Sequence, residues 1–132
     1  MVAMEAGQYR NLNSPLIAPI ASFPAVFKDS LAPNMILDYG MGVSAHDFEV
    51  NETECIIPHR LVTAYALALS NAAGAREILL AGFDGYEIDS PLQREMEELF
   101  KCYRAVKKFA PVKSVTPTTY SIVQSSIFAP NI

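Results

Sequence analysis

Residues Glu77–Tyr86, EILLAGFDGY, decide how this chain is read. Ile78, Leu79, Leu80 and Ala81 form an apolar run without alternation, as expected of a central strand covered on both faces. The run then breaks into Gly82, Asp84, Gly85 and Tyr86. A strand of this kind carries an acid and a phenol to its carboxyl end, beside glycines that let a backbone come close.

The flanks are helical. Upstream, Pro58 opens a helix through about Ala73, because proline wastes no backbone donor in a first turn. That helix is apolar on almost every face, interrupted by Thr63, Ser70 and Asn71, so it is expected to be buried. Gly74 suits its carboxyl cap. Downstream, Ser90 caps a second helix, Pro91 takes its first position and Gln93 completes a capping box. Leu92, Met96, Leu99, Phe100, Tyr103 and Val106 make one apolar stripe. Glu95, Glu97 and Glu98 precede Lys101, Arg104, Lys107 and Lys108 along it, as the helix dipole favours, and Glu97 with Lys101 is oriented to pair. Val112–Val115 reads as the next strand, followed by TPTTY and an irregular tail.

The amino-terminal part is shorter in its periods. Residues 1–14 read as a loose lead-in or the cut end of something longer. Leu16–Ile20 reads as a strand, residues 23–31 as a short helix, and Asn34–Tyr39 as a strand ending where Gly40, Met41 and Gly42 turn the chain. Residues 43–55 read as an acid-rich loop. Alternating strands and helices predict one α/β domain over residues 15–132. Its sheet is small, mainly parallel, of about four strands with helices on both faces. It is Rossmann-like, or half of a larger doubly wound domain.

Composition narrows the function. The chain has 132 residues, 51% of them apolar, and a net charge of −4 without a basic run. Nucleic-acid and anionic-membrane binding are not expected. No apolar stretch reaches the length of a membrane span, and the amino terminus lacks the build of a signal peptide. Cys55 and Cys102 form neither a C-x-x-C motif nor a zinc framework, which fits reduced thiols in a cytoplasmic protein.

In open parallel sheets ligands bind beyond the carboxyl ends of strands, beside helix amino termini. That rule gathers Asp38, Tyr39 and Gly40 after one strand, Gly82, Asp84, Gly85 and Tyr86 after the next, and Thr116, Thr118, Thr119 and Tyr120 after the last. His59 and Arg60, opening the buried helix, would favour an anionic group. His59 is also a candidate proton carrier, and Asp84 a candidate catalytic residue that would accept hydrogen bonds from ligand hydroxyls. Each has a plainer reading. Asp84 can cap an Asp-Gly turn, His59 can bond backbone, and the three threonines can satisfy loop backbone instead of sugar or phosphate. His46, Asp47 and Glu49 match no metal-ligand frame, so no metal is expected. The chain has no G-x-G-x-x-G, Walker A, G-x-S-x-G or H-E-x-x-H motif, and no motif identifies a cofactor.

Two motifs together carry a resemblance: Ala81–Tyr86 (AGFDGY), and Thr116–Tyr120 (TPTTY) followed by Ser126–Phe128 (SIF). Over residues 34–129 the chain resembles the carboxyl-terminal domain appended to bacterial HMG-CoA-lyase-like proteins. These are described as 4-hydroxy-2-oxovalerate aldolase-like and occur with surface-polysaccharide genes. More distantly it is similar to sialyltransferase-like proteins and to the archaeal 6-hydroxymethylpterin diphosphokinase family, whose Rossmann-like domains bind nucleotides. In the sialyltransferases a histidine near the site acts as general base, and the resemblance leaves open whether His59 or His46 corresponds to it. The aldolase machinery of the resembled family lies on an upstream barrel, and a TIM barrel of about 250 residues does not fit in this chain. The resemblance therefore implies an accessory domain for a sugar, sugar phosphate or nucleotide-sugar, partnered by an upstream aldolase barrel. The rival expectations are a CMP-sugar transferase with His59 or His46 as base, and a structural module that pairs with a second copy as a homodimer.

Overall fold

The computed structural model describes residues 14–29 and 36–129. The expected lead-in, the end of the short helix at 23–31 and the start of the strand at Asn34 fall largely outside these residues. Eight strands are described: β1 Leu16–Ala18, β2 Ile36–Asp38, β3 Gly40–Val43, β4 Glu49–Val50, β5 Glu54–Ile57, β6 Ile78–Leu80, β7 Val112–Ser114 and β8 Val123–Gln124. The helices are α1 Ala25–Asp29, α2 Val62–Ala72 and α3 Pro91–Ala105.

The architecture is mixed α/β and mostly parallel. The strands form three small ladders, β1-β2, β3-β5-β4 and β6-β7-β8, not one sheet of about four strands. Of the ladders among the described residues, only β4–β5 is antiparallel, and an isolated antiparallel bridge joins Ser126 to Ala129. The α2 helix packs on β4 and β5, and α3 connects β6 to β7. Leu67, Leu80, Met96, Leu99, Phe100 and Tyr103 belong to one buried cluster with Ile57, Cys55 and Phe48. Phe48, Tyr103 and Phe109 meet edge-on or tilted at centroid distances of 5.1–5.5 Å, a favoured aromatic arrangement.

Several expectations are corrected. Gly40–Gly42 is not a turn but part of β3, nearly continuous with β2 through Tyr39. Gly40 is needed for close approach: a Cβ there would lie 3.0 Å from Glu54 Cβ on β5. The acid-rich loop conceals β4 and β5 around an Asx turn in which Asn51 Oδ1 accepts from Thr53 N and Glu54 N. Cys55 and Ile57 are buried while Glu54 faces out, so the strand alternates, but four residues are too few to stand out. The expected strand Leu16–Ile20 stops at Ala18. Ile20–Ser22 is a 3-10 turn whose first amide, Ile20 N, donates to Asp38 Oδ1.

The two long helices also differ in detail. The α2 helix starts at Val62, not Pro58, and its amino-terminal cap Leu61 provides no side-chain bond. Its buried face is Ala64, Leu67 and Ala68, while Val62 is 87% exposed, so the helix is covered on one side only. Its carboxyl end is as expected. Gly74 N donates to Asn71 O and Ala75 N to Ser70 O, the paired bonds of a Schellman motif. Ser90 caps α3 by accepting from Gln93 N, but Gln93 does not return the bond of a capping box. Nor does Glu97 pair with Lys101; its carboxylate accepts from Ser121 N. Leu92, read as part of the stripe, is exposed.

The strand that opened the reading is not central. Within its ladder β6 pairs only with β7, and Leu79 is 45% exposed. The middle position belongs to β7, because β8 adds from the segment read as an irregular tail. A two-residue strand leaves no apolar run for sequence reading to find.

Candidate ligand cleft and histidine cluster

The loop after β6 is fastened to the loop after β7 from both sides. Val115 N donates to Leu80 O at 2.8 Å, continuing the ladder one step. Gly82 N donates to Thr116 Oγ1 at 2.9 Å. Asp84 O accepts from Thr119 N at 2.9 Å and from Thr119 Oγ1 at 3.0 Å. Gln93 closes the arrangement: its Oε1 accepts from Tyr86 N at 2.9 Å and its Nε2 donates to Thr119 Oγ1 at 3.4 Å. This is where the amide of the expected capping box goes.

Gly85 makes the closeness possible. Its φ is +111°, and a Cβ would clash with Thr119 Oγ1 at 1.9 Å. Thr118 Oγ1 accepts from Tyr120 N. The hydroxyls of Thr116, Thr118 and Thr119 are thus engaged with loop backbone, the plainer of their two readings. Tyr120 is buried, with its ring 5.4 Å from that of Phe100. Burial raises its pKa, and the neighbouring Tyr86 and Glu97 add to the effect.

These contacts leave a cleft of about 370 Å³ lined by Thr63, Gly82, Phe83, Asp84, Gly85, Tyr86, Met96 and Tyr120. Asp84 and Tyr86 are exposed at it, and neither the carboxylate nor the phenol has a hydrogen-bond partner among the described residues. So the fold immobilises the backbone of Gly82–Tyr86 and leaves two polar side chains unspent. The sequence pointed to Asp84, Tyr86 and Tyr120. It missed Thr63 and Met96, which carry no signal beyond helix membership, and assigned no role to Phe83 inside the AGFDGY motif.

His59 and Arg60 do not join this cleft. They precede the true start of α2, and His59 Nε2 lies 3.1 Å from Glu98 Oε2 on α3. The other oxygen of the same carboxylate, Oε1, lies 2.9 Å from His46 Nδ1. An ionised carboxylate can only accept, so the facing nitrogens carry the protons. In the neutral imidazoles His46 Nε2 and His59 Nδ1 are then the basic nitrogens. The side chain of His46 is 79% exposed and that of His59 25%. His46 has φ 68°, a left-handed conformation in which histidine is enriched among non-glycine residues but which still costs energy. Beside it opens a broader hollow of about 810 Å³, bordered by His46, Asp47, Glu49, Glu98, Lys101 and Ser121 among others. Glu98 escaped sequence reading because its partners come from loops far away along the chain, 39 residues in the case of His59.

Among the described residues no group of three or more His, Cys, Asp or Glu side chains could hold a metal ion. The two imidazoles bond separate oxygens of one carboxylate, which is a hydrogen-bonded chain and not a convergent ligand set. No helix among the described residues is long and apolar enough to cross a membrane. Comparison with protein-family models, with curated proteins and with solved structures finds no match to this chain.

Proposed function

We propose that this chain is a Rossmann-like α/β module that binds a sugar, sugar phosphate or nucleotide-sugar at the Gly82–Tyr86 edge. In this reading it is a cytoplasmic accessory domain of an aldolase-like protein in surface-carbohydrate biosynthesis, without aldol chemistry of its own. The supporting observation is the cleft itself. A loop fixed by Thr116, Thr119 and Gln93 presents an unspent carboxylate and an unspent phenol beside aromatic surface. Small-molecule sites combine apolar walls with a few placed polar groups in this way. The resemblance of AGFDGY and TPTTY to the aldolase-appended domain supplies the ligand class and the context.

The test is a thermal-shift screen against CMP, CDP, UDP, their sugars, sugar phosphates and 2-oxo acids. A ligand bound only by the native state adds about 2.7 kcal/mol at one hundred times its dissociation constant. A shift that disappears in Asp84→Asn supports the reading. No shift across the panel, with positive controls responding, removes it in favour of a docking or structural module.

A second reading is favoured by the His46–Glu98–His59 cluster. An imidazole held by a carboxylate, with its other nitrogen basic, is the arrangement of a general base and its orienting partner. It supports a transferase of the sialyltransferase-like kind acting on a CMP-sugar. Turnover or hydrolysis of a CMP-sugar that falls in His46→Ala or His59→Ala bears this out. Full activity in both variants rules out either imidazole as the base.

A further inference from the structure

We infer that the Gly82–Tyr86 cleft selects a single sugar ring bearing a protonated amine over one bearing phosphate; this rests on reading the cleft as a sugar site. Among its lining residues Asp84 alone is charged, and Thr63, Phe83, Tyr86, Met96 and Tyr120 supply hydroxyl, aromatic and thioether surface. The groups that would draw phosphate are elsewhere. Arg60 is not in the cleft wall, and His59 is bonded to Glu98.

The surrounding sequence has the same sign. From Gly82 to Gln93 the chain carries Asp84, Glu87 and Asp89 and no lysine or arginine. A phosphate in this cleft meets a like charge with no cation in the wall to offset it. An ammonium instead donates a charge-assisted hydrogen bond to the Asp84 carboxylate, which has no internal partner to release. The rings of Phe83 and Tyr86 add attraction for a cation within about 6 Å of a ring centre. Size points to one ring. The volume of about 370 Å³ lies at the small end of the roughly 300–1,000 Å³ spanned by ligand pockets, which leaves little room for a nucleotide with its sugar.

The experiment is titration calorimetry on the whole chain and on Asp84→Asn with glucosamine, N-acetylglucosamine, glucose and glucose 1-phosphate. It is run at low salt near pH 6, about two units below a typical amine pKa, so that the amine is charged. Glucosamine is expected to bind about tenfold more tightly than N-acetylglucosamine, because only the charged amine gains the stronger bond. The same preference is expected to fall to about unity in Asp84→Asn. Glucose, N-acetylglucosamine or glucose 1-phosphate matching glucosamine overturns the amine inference and leaves the sugar reading standing. A preference that survives in Asp84→Asn also overturns it, by placing the amine elsewhere. Failure of all four probes to bind overturns the single-ring sugar reading, and the inference falls with it.

Discussion

The two ends of α2 are built on opposite plans. At the carboxyl end Asn71 Nδ2 donates to Leu67 O and to Tyr103 Oη, and Asn71 Oδ1 accepts from Ala110 N. Tyr103 Oη in turn donates to Ala110 O. One amide thereby joins two helices and the segment leading into β7, with its bonding capacity largely used inside. At the amino end Leu61 offers no side-chain cap, Thr63 lines the cleft, and Asp84 and Tyr86 keep polar atoms unbonded. Polar groups at the first end hold the fold, and those at the second stand available to a ligand. The difference separates two kinds of polar residue that look alike in sequence. It also says which substitutions should unfold the protein and which should leave its stability nearly unchanged.

The largest effect should come from the closed end. Asn71→Leu leaves Ala110 N without its acceptor and strips the Tyr103 phenol of its donor. The expected loss is about 2–4 kcal/mol, from buried groups deprived of partners in a coupled network. Urea unfolding measures it, with an unchanged denaturant slope showing that two-state behaviour persists. A loss below about 0.5 kcal/mol, the size of an ordinary surface substitution, would break the comparison at its firmest point.

Gly85→Ala is next. It forces a side chain into φ +111° and against Thr119 Oγ1, with an expected cost of about 2–3 kcal/mol from backbone strain and overpacking. Thr119→Ala in the same chain should recover part of that cost, since it removes the clashing hydroxyl but not the backbone strain. Non-additivity in this double-mutant cycle tests whether the two loops are truly in contact. Additive losses would mean that they are not.

High pH should weaken the closed interior by no more than this. Burial, helped by the Glu54 carboxylate, pushes the Cys55 thiol from its ordinary 9.0 to about 11. Burial likewise raises Tyr39, Tyr65 and Tyr103. A group whose folded pKa is raised contributes stability that is whole below its unfolded value and lost as pH climbs through the folded one. For Cys55 the window is pH 9 to about 11, and the loss is at most about 2.7 kcal/mol. Melting temperature should be flat below pH 9 in this respect and fall above it. Cys55→Ala should flatten part of that alkaline slope while lowering stability overall, and an unchanged slope would count against a protonated thiol in the core.

How far the sequence announced this arrangement depends on range. Local chemistry was legible: Ser90 and Pro91 start α3, Gly74 ends α2, and the stripe from Met96 to Tyr103 is buried. Alternating strands and helices predicted a mainly parallel α/β chain, and the ladders are mainly parallel. What failed was either very short or long-range. The strands β4, β5 and β8 have two to four residues, too few for a period to show. Gln93 and Asn71 act on partners supplied by other elements, so their sequence neighbourhoods do not reveal those bonds. Strand-end logic placed Asp84 and Tyr86 beyond the carboxyl end of β6, where they line the cleft, because glycine and acid after an apolar run are a local pattern. The same logic misplaced His59 and Arg60, because it assumed that α2 began at Pro58. His59, Arg60 and Leu61 lie between Pro58 and the first helical residue, Val62, and His59 reaches Glu98.

The smallest stability effect is expected one residue from one of the larger ones. Asp84 and Gly85 share a loop, and Asp84 O is bonded by Thr119 on both its backbone amide and its hydroxyl. Yet the Asp84 carboxylate touches no partner that stabilises the fold, and its amide isostere keeps the same shape and the same backbone. Asp84→Asn should therefore move stability by less than about 0.5 kcal/mol, the range of surface changes that break no cap, cavity or buried bond. The backbone carbonyl of residue 84 still holds Thr119, so the loop stays closed while the charge at the cleft is lost. If instead Asp84→Asn proves as costly as Gly85→Ala, the carboxylate serves the fold, and the amino end of α2 is a second closed end. A near-silent unfolding curve beside a lost ligand would leave the carboxylate one role, at the ligand, and would separate it from the glycine next to it.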